Sequence, residues 1–329
     1  MTFTHRTRIA AAALATATLA LAGCSSESGS SQAGSGSAES YSIGISQLVQ
    51  HPALDSATAG FKQAFDDAGI DVEWEEQNAN GEQATALTIA QQFANQDLDL
   101  VLANATPAAQ AMAQNVADIP VLFTSVTDPV EAQLVASLEE PGGNVTGTSD
   151  KTPLADQFDL MTELVPDVST IGIIYSSGEV NSQIQVDEAT KEAEGRGISV
   201  ATQTITSVNE IPQAVAALGD VDAFYVPTDN MVVSGISSLV QAAEEKNTPV
   251  IGAEAGTVEG GAVATIGIDY FELGRQTGEM AIRILRDGAD PATMPVETAN
   301  QFSYYVNEDA ATVQGVTIPQ HILDQAERV

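Results

Sequence analysis

Thr106 and Asp229 are the residues best placed, by type and position, to hold a small charged molecule. Thr106 precedes Pro107, a residue suited to the first turn of a helix. The sequence therefore predicts Thr106 as the N-cap of a helix beginning at Pro107. The free N–H groups of a helix start favour a carboxylate. Asp229 falls at the equivalent point of a repeated pattern set out below. One half of the chain thus offers a donor where the other offers an acceptor, and a zwitterionic amino acid needs both. Plainer readings stand beside this one: Thr106 as a simple cap, and Asp229-Asn230 as a turn or a cap.

Other residues fall in the same set of loops. Asn104 and Ala105 lead into Thr106, and Glu254 follows a second-half strand as another acceptor. Asp269 either assists it or stabilises a connecting segment. His51 either stacks on or hydrogen-bonds a ligand, or is a loop histidine positioned by Pro52; Gln50 and Leu54 flank it. In Val126-Thr127-Asp128-Pro129, either Val126 or Thr127 faces a ligand, or the segment is structural with Asp128 as a cap. Asn181 and Ser182 can cap their helix and touch a ligand at once. No second histidine or cysteine lies at ligand spacing from His51, so neither a metal nor another cofactor is expected.

These loops must be held by regular elements, and the chain supplies them twice. Ser42-Ile43-Gly44-Ile45 matches Thr170-Ile171-Gly172-Ile173, and Ala68-Gly69-Ile70-Asp71-Val72 matches Arg196-Gly197-Ile198-Ser199-Val200. Asp99-Leu100-Val101-Leu102 matches Asp222-Ala223-Phe224-Tyr225, and Ile119-Pro120-Val121-Leu122 matches Thr248-Pro249-Val250-Ile251. The spacing is about 125 to 130 residues. The first half predicts strands at 42–46, 72–77, 98–103 and 121–125, with helices at 56–68, 82–95 and 107–115. Phe61, Ala64, Phe65 and Ala68 share one helical face; Leu87, Ala90, Gln91 and Ala94 run down another helix, with Ile89 and Phe93 beside them. The second half predicts strands at 170–174, 199–204, 223–226 and 250–253, and helices at 181–194, 208–218 and 234–246. Strand–helix alternation implies parallel sheets covered on both faces. The fold class is therefore α/β, as two similar doubly wound lobes. Ligands of such sheets bind outside the carboxyl ends of the strands.

Cys24 is the one cysteine of the chain and ends Leu21-Ala22-Gly23-Cys24. Before it come His5, Arg6 and Arg8 and an apolar run from Ile9 to Leu21, too short to span a bilayer. The pattern predicts a signal peptide over residues 1–23, and its last four residues resemble a bacterial lipobox, which implies lipidation of Cys24. Residues 24–40 read as a flexible linker. The full chain carries a formal charge of −34; without Arg6 and Arg8, nine bases face 45 acids, or −36. That surface makes nucleic acid and anionic lipid poor partners. It fits a high-salt habitat but does not choose a ligand.

The loop motifs carry a resemblance. His51-Pro52-Ala53-Leu54-Asp55, Ala105-Thr106-Pro107-Ala108-Ala109-Gln110, Val126-Thr127-Asp128-Pro129-Val130 and Pro141-Gly142-Gly143-Asn144-Val145-Thr146-Gly147 occur in this order behind the lipobox. Together they resemble the tryptophan/tyrosine-type family of ABC transporter substrate-binding lipoproteins. The resemblance implies a type I periplasmic-binding fold with a three-segment hinge near 147–150, 267–270 and 301–304. Lobe 1 would comprise 41–147 and 270–300, and lobe 2 would comprise 148–269 and 301–329. It also implies delivery of a small solute to ABC permease subunits by a monomer tethered outside the cytoplasm through its lipid alone. An amino acid, aromatic or branched, is the expected ligand, with a nucleoside or sugar as the alternative. A ligand-sensing surface lipoprotein would use the same fold. An enzyme is not expected, because the chain lacks a Gly-x-Ser-x-Gly elbow, a catalytic cysteine, a histidine cluster and a Walker A motif.

Overall fold

The structure of the protein, a computed structural model, describes residues 40–299 and 301–329. The signal peptide, Cys24, the linker up to residue 39, and residue 300 of the expected first lobe lie outside the described residues. No helix among the described residues is long and apolar enough to cross a membrane.

The first half folds as β1 (Ser40–Gln47), α1 (Pro52–Ala68), β2 (Asp71–Asn78), α2 (Gln83–Phe93), β3 (Leu100–Asn104), α3 (Thr106–Asn115), β4 (Val121–Val126) and β5 (Val145–Ser149). The second half follows as α4 (Leu154–Leu164), β6 (Thr170–Ser176), α5 (Val180–Gly195), β7 (Ser199–Ile205), α6 (Ile211–Ala217), β8 (Ala223–Val226), α7 (Asn230–Ser234), α8 (Ile236–Glu244), β9 (Val250–Gly252), α9 (Ala255–Glu259) and β10 (Ala264–Gly267). The chain ends with α10 (Tyr270–Asp287), β11 (Glu297–Thr298), β12 (Ser303–Val306), α11 (Glu308–Val313), α12 (Gln320–Leu323) and β13 (Glu327–Arg328).

The internal repeat reappears as strand order. One sheet runs β11-β5-β4-β3-β1-β2 and the other β13-β12-β10-β9-β8-β6-β7. Within each, the first five strands of the half take the same order, with the second strand at the edge beside the first. All these pairings are parallel; the antiparallel pair is β10 with β12. The chain passes between the sheets after β5, after β10, and between β11 and β12. The first sheet keeps β5 through Ser149, beyond the boundary read at Gly147.

Apolar runs make these strands because both faces are covered. Ile43, Ile45, Leu100 and Leu102 point into one core with Phe61, Phe65 and Met280. Val101 and Ala103 point to the other face, with Phe93 and Met112. On edge strand β2, half-buried Trp74 sets its ring edge against Phe65, 5.5 Å between centroids. Helix α10 returns to lie on α1. Gly60, Gly274 and Gly278 permit that approach, since a Cβ on them would meet the carbonyls of Phe271, Ala57 and Phe61.

Several sequence expectations need correction. Helix α1 starts at Pro52, so His51 to Asp55 is a cap and first turn rather than a loop. The buried stripe of α2 is Ala86, Ile89, Ala90 and Phe93, while Leu87, Gln91 and Ala94 are exposed. The larger Phe93 and Ile89 turn inward, which rotates the helix off the stripe read from Leu87. The single helix expected over 208–218 is a 3-10 turn at Val208–Glu210 followed by α6. The helix expected over 234–246 is α8, which starts at Ile236, and the short α7 before it, separated by Gly235, was not expected.

Candidate functional site

In both sheets the strand order reverses beside the first strand, between β1 and β3 and between β6 and β8. A crevice opens at such a reversal, outside the carboxyl ends. Gln47 at the end of β1 pairs in register with Asn104 at the end of β3, so their following loops emerge together. Those loops carry His51 and Thr106. Their counterparts in the second sheet carry Glu179 and Asp229.

The loops of the two sheets touch. His51 is the N-cap residue of α1 and Glu179 that of α5, and both reach Asn230. His51 Nε2 lies 3.3 Å from Asn230 Oδ1, while Asn230 Nδ2 donates to Glu179 Oε2. Gln185 of α5 donates to the hydroxyls of Thr228 and Thr127, at 2.6 and 3.3 Å. Gln83 at the start of α2 donates to the carbonyl of Gly178. At the first crossing, the Tyr270 hydroxyl donates to Asp150 Oδ2 at 2.8 Å.

The site is rich in buried acids. Burial first, then the charge of Asp229, raises Glu179 to about 8. Burial raises Asp229 and Asp150 as well. Burial, with smaller effects of Glu259 and Asp150, brings Glu254 to about 7. Burial lowers His51 to about 4.

Buried polar atoms without a hydrogen-bond partner mark the crevice. Among the described residues they are Ser46 Oγ, His51 Nδ1, Asn104 Oδ1, Thr106 Oγ1, Ser125 Oγ, Asp150 Oδ1, Asn181 Oδ1, Glu254 Oε1 and Thr265 Oγ1. All but Thr265 lie at the carboxyl end of a strand, in the loop after it, or in the first turn of the helix that follows. An unpaired buried polar group is costly in a folded protein and needs a partner. Two residues here also hold positive φ, Ala105 at 86° and Ser125 at 57°. That region is unfavourable for side chains other than glycine and clusters at functional sites.

The sequence-predicted residues divide accordingly. His51, Leu54, Asp229, Asn230 and Glu254 line one small cavity with Ser125, Asp150 and Tyr270. Thr127 meets Thr228 across the lobes, hydroxyl to hydroxyl at 3.3 Å. Asn104 ties the second sheet-end loop to α1, donating to Leu54 O and Thr58 Oγ1. Val126 is buried in the first lobe's core. Thr106 is not a cap: Ala105 is the N-cap residue, because its positive φ starts the helix one residue early. Asn181 and Ser182 are not caps either, since Glu179 precedes them at that place. Asp229 is a cap, and both its oxygens are taken, Oδ1 by Val232 N and Oδ2 by Ser176 N. Gln50 is exposed and lines a first-lobe groove with Asp55, Lys62 and Glu76 instead of the crevice. Asp269 is exposed and caps α10 by accepting from Glu272 N.

Sequence reasoning missed Ser125, Asp150, Glu179, Gln185, Thr228 and Tyr270. Glu179 was within reach: it precedes the helix that follows the first strand of its half, as His51 does. Asp150, Gln185, Thr228 and Tyr270 depend on contacts between halves, and Ser125 is marked only by its positive φ and unpaired hydroxyl.

Comparison with known proteins adds kinship to this geometry. Residues 42–329 match the family model described as ABC transporter substrate binding protein. A tyrosine-binding protein of Clostridioides difficile is 43% identical over 273 residues, covering 82% of this chain and 79% of that protein. A Streptococcus pneumoniae structure in complex with L-Trp is 38% identical, covers 88% of this chain and 100% of that one, and superposes with a TM-score of 0.85. A ligand-free, open structure of a Clostridium difficile substrate-binding protein with adhesive properties is 41% identical over 88% of this chain and 99% of that one. Its TM-score is 0.68.

Proposed function

The chain belongs to the ABC transporter substrate-binding protein family, and we propose that it carries an aromatic L-amino acid, tyrosine or tryptophan, in the crevice between its lobes. A substrate-binding protein is a carrier of a small ligand and not an enzyme. The observation that carries the reading is the set of unpaired buried polar atoms at the strand ends. The first lobe contributes the hydroxyls of Thr106 and Ser125, which can donate to a carboxylate. The second lobe and the hinge contribute oxygens of Asn181, Asp150 and Glu254, which can accept from an ammonium. The donor–acceptor division expected of Thr106 and Asp229 is kept, with Asp229 replaced because its oxygens serve the backbone. The ligands of the C. difficile and S. pneumoniae relatives support the aromatic choice.

Lobe closure supplies the mechanism. The higher TM-score against the L-Trp complex than against the open structure does not follow identity, which is slightly higher for the latter. It supports a rigid-body difference between lobes, with this chain near the closed end. Closed lobes present one surface to a permease, to which the ligand is released. A lipid on Cys24 holds the protein outside the cytoplasm; Cys24→Ser should leave the precursor unprocessed or free the protein into the medium. Retention of a trimmed Cys24→Ser protein would exclude the anchor.

Calorimetric titration with amino acids, nucleosides and sugars tests the ligand. Tyrosine or tryptophan should bind, and Thr106→Val or Asn181→Ala should weaken binding by about 1 kcal/mol or more for each lost hydrogen bond. Binding of a sugar or nucleoside with no response to any amino acid would reject the reading.

A further inference from the structure

A groove of about 330 Å³ lies on the second lobe, away from the crevice. Tyr304 stands opposite Ile266 where β12 pairs with β10, so their side chains share one face of the sheet. Phe302, two residues before Tyr304, lines the same groove, and Leu160 of α4 completes an apolar floor. Phe302 is 40% exposed and is the one aromatic among the large exposed apolar side chains of the described residues.

The rim is acidic. Asp156, Asp159 and Glu163 fall at i, i+3 and i+7 of α4, with Leu160 at i+4, so one helical face carries all four. Asp159 is paired with Arg196, and Glu163 lies 3.2 Å from His321 Nε2. Asp156 forms no ion pair among the described residues. Such a rim beside an apolar floor favours a cation on an apolar stem, which also gains from the faces of Phe302 and Tyr304.

Every lining residue belongs to the second lobe, at the β10–β12 end of its sheet. The opposite edge is β7, whose following loop faces the first lobe. The first-lobe groove around Gln50 differs, because its charged groups are already matched: Lys62 with Glu76, and Asp55 with Gln47.

We infer that the groove between α4 and β12 docks a basic segment of a partner protein, with a lysine or arginine along the acidic face of α4 and a neighbouring apolar side chain on Phe302. Charge complementarity chooses the occupant. A second copy of this chain, itself at −34, and an anionic lipid surface are both repelled. Docking here uses one lobe and is independent of the crevice's ligand.

A display library of random peptides, selected on the wild-type protein, tests this. Enriched peptides should pair lysine or arginine with an apolar residue. They should bind Phe302→Ser at least about tenfold more weakly, and the double variant Asp156→Asn, Glu163→Gln severalfold more weakly. Added salt should weaken the wild-type complex. Enrichment without basic residues, or wild-type affinity in both variants, would overturn the inference. Should Phe302→Ser fail to melt cooperatively, wild-type affinity in the double variant alone would overturn it. Displacement of the peptide by an equal concentration of spermidine would assign the groove to free amines and exclude the protein partner.

Discussion

His51 Nε2 stands 3.3 Å from Asn230 Oδ1, joining the start of α1 in one lobe to the start of α7 in the other. Glu179 sets the direction of this contact. Asn230 Nδ2 donates to the Glu179 carboxylate, so Oδ1 is the atom turned to His51. His51 must therefore carry its hydrogen on Nε2, which leaves Nδ1 as an unpaired acceptor. Burial, only partly offset by Asn230 and Asp55, lowers the imidazole to about 4. The interlobe bond is thus made by neutral histidine.

Acid should weaken the closed state through this residue. Opening returns His51 toward the ordinary value of about 6.5. A base depressed on closure contributes fully above about 6.5 and loses that contribution as pH falls toward 4. Asp55, Asp150, Asp229, Glu254, Tyr270 and, through Asn230, Glu179 surround it, so the comparison must isolate His51. Between pH 7.5 and 5 it should account for about 2 kcal/mol, or roughly thirtyfold in ligand affinity. Titration at both pH values should show this component in wild type and not in His51→Gln. Equal pH dependence in the two proteins would refute it.

Glu254 acts with the opposite sign. Its carboxyl, raised by burial to about 7, contributes most to stability below its unfolded value near 4.5. That contribution declines as pH rises from about 4.5 to 7. Glu254→Gln removes the decline, so its stability relative to wild type should rise between pH 5 and 7.5, by about 2 kcal/mol. A melting difference that stays constant across this range would count against the buried-acid account.

The repeat was legible because strand–helix alternation leaves a pattern in each half, and the shared strand order follows from it. Helix starts were less legible. Thr106 before Pro107 reads as a cap, yet a positive φ at Ala105 moves the start by one residue, and alanine gives no warning of that conformation. The stripe on α2 was misread because Leu87 is large, apolar and exposed, while small Ala86 is buried. At the site, residues in strand-end loops could be found from the repeat. Asp150 with Tyr270 and Thr127 with Thr228 could not, because these pairs form across long separations where the lobes meet.

Ala105 gives a separate test of strain. At φ 86° and ψ 153° it occupies a region that glycine alone enters freely, and it is fully buried. Holding alanine there costs about 1 to 3 kcal/mol. Ala105→Gly relieves this but gains unfolded-state entropy and loses a buried methyl, about 0.5 to 1 kcal/mol each. Its stability should therefore stay within about 1 kcal/mol of wild type. Ala105→Val adds branching and volume and should lose more than about 3 kcal/mol. Denaturant unfolding that ranks valine level with glycine would show that the turn is unstrained.

Gln83 should govern how long the lobes stay shut. It sits at the exposed start of α2, and its Nε2 donates to the Gly178 carbonyl on the opposite lobe. The bond joins segments that separate when the lobes part, so it stabilises the closed state alone. Gln83→Ala should leave the unliganded melting temperature nearly unchanged, since surface substitutions stay within about 0.5 kcal/mol. Loss of one such bond, worth about 0.5 to 1.5 kcal/mol, should speed ligand dissociation roughly two- to tenfold. Association should be unaffected, because ligand enters the open form, in which this bond is not made. Stopped-flow displacement separates the two rates. An unchanged dissociation rate, or a loss confined to association, would remove Gln83 from the closure mechanism.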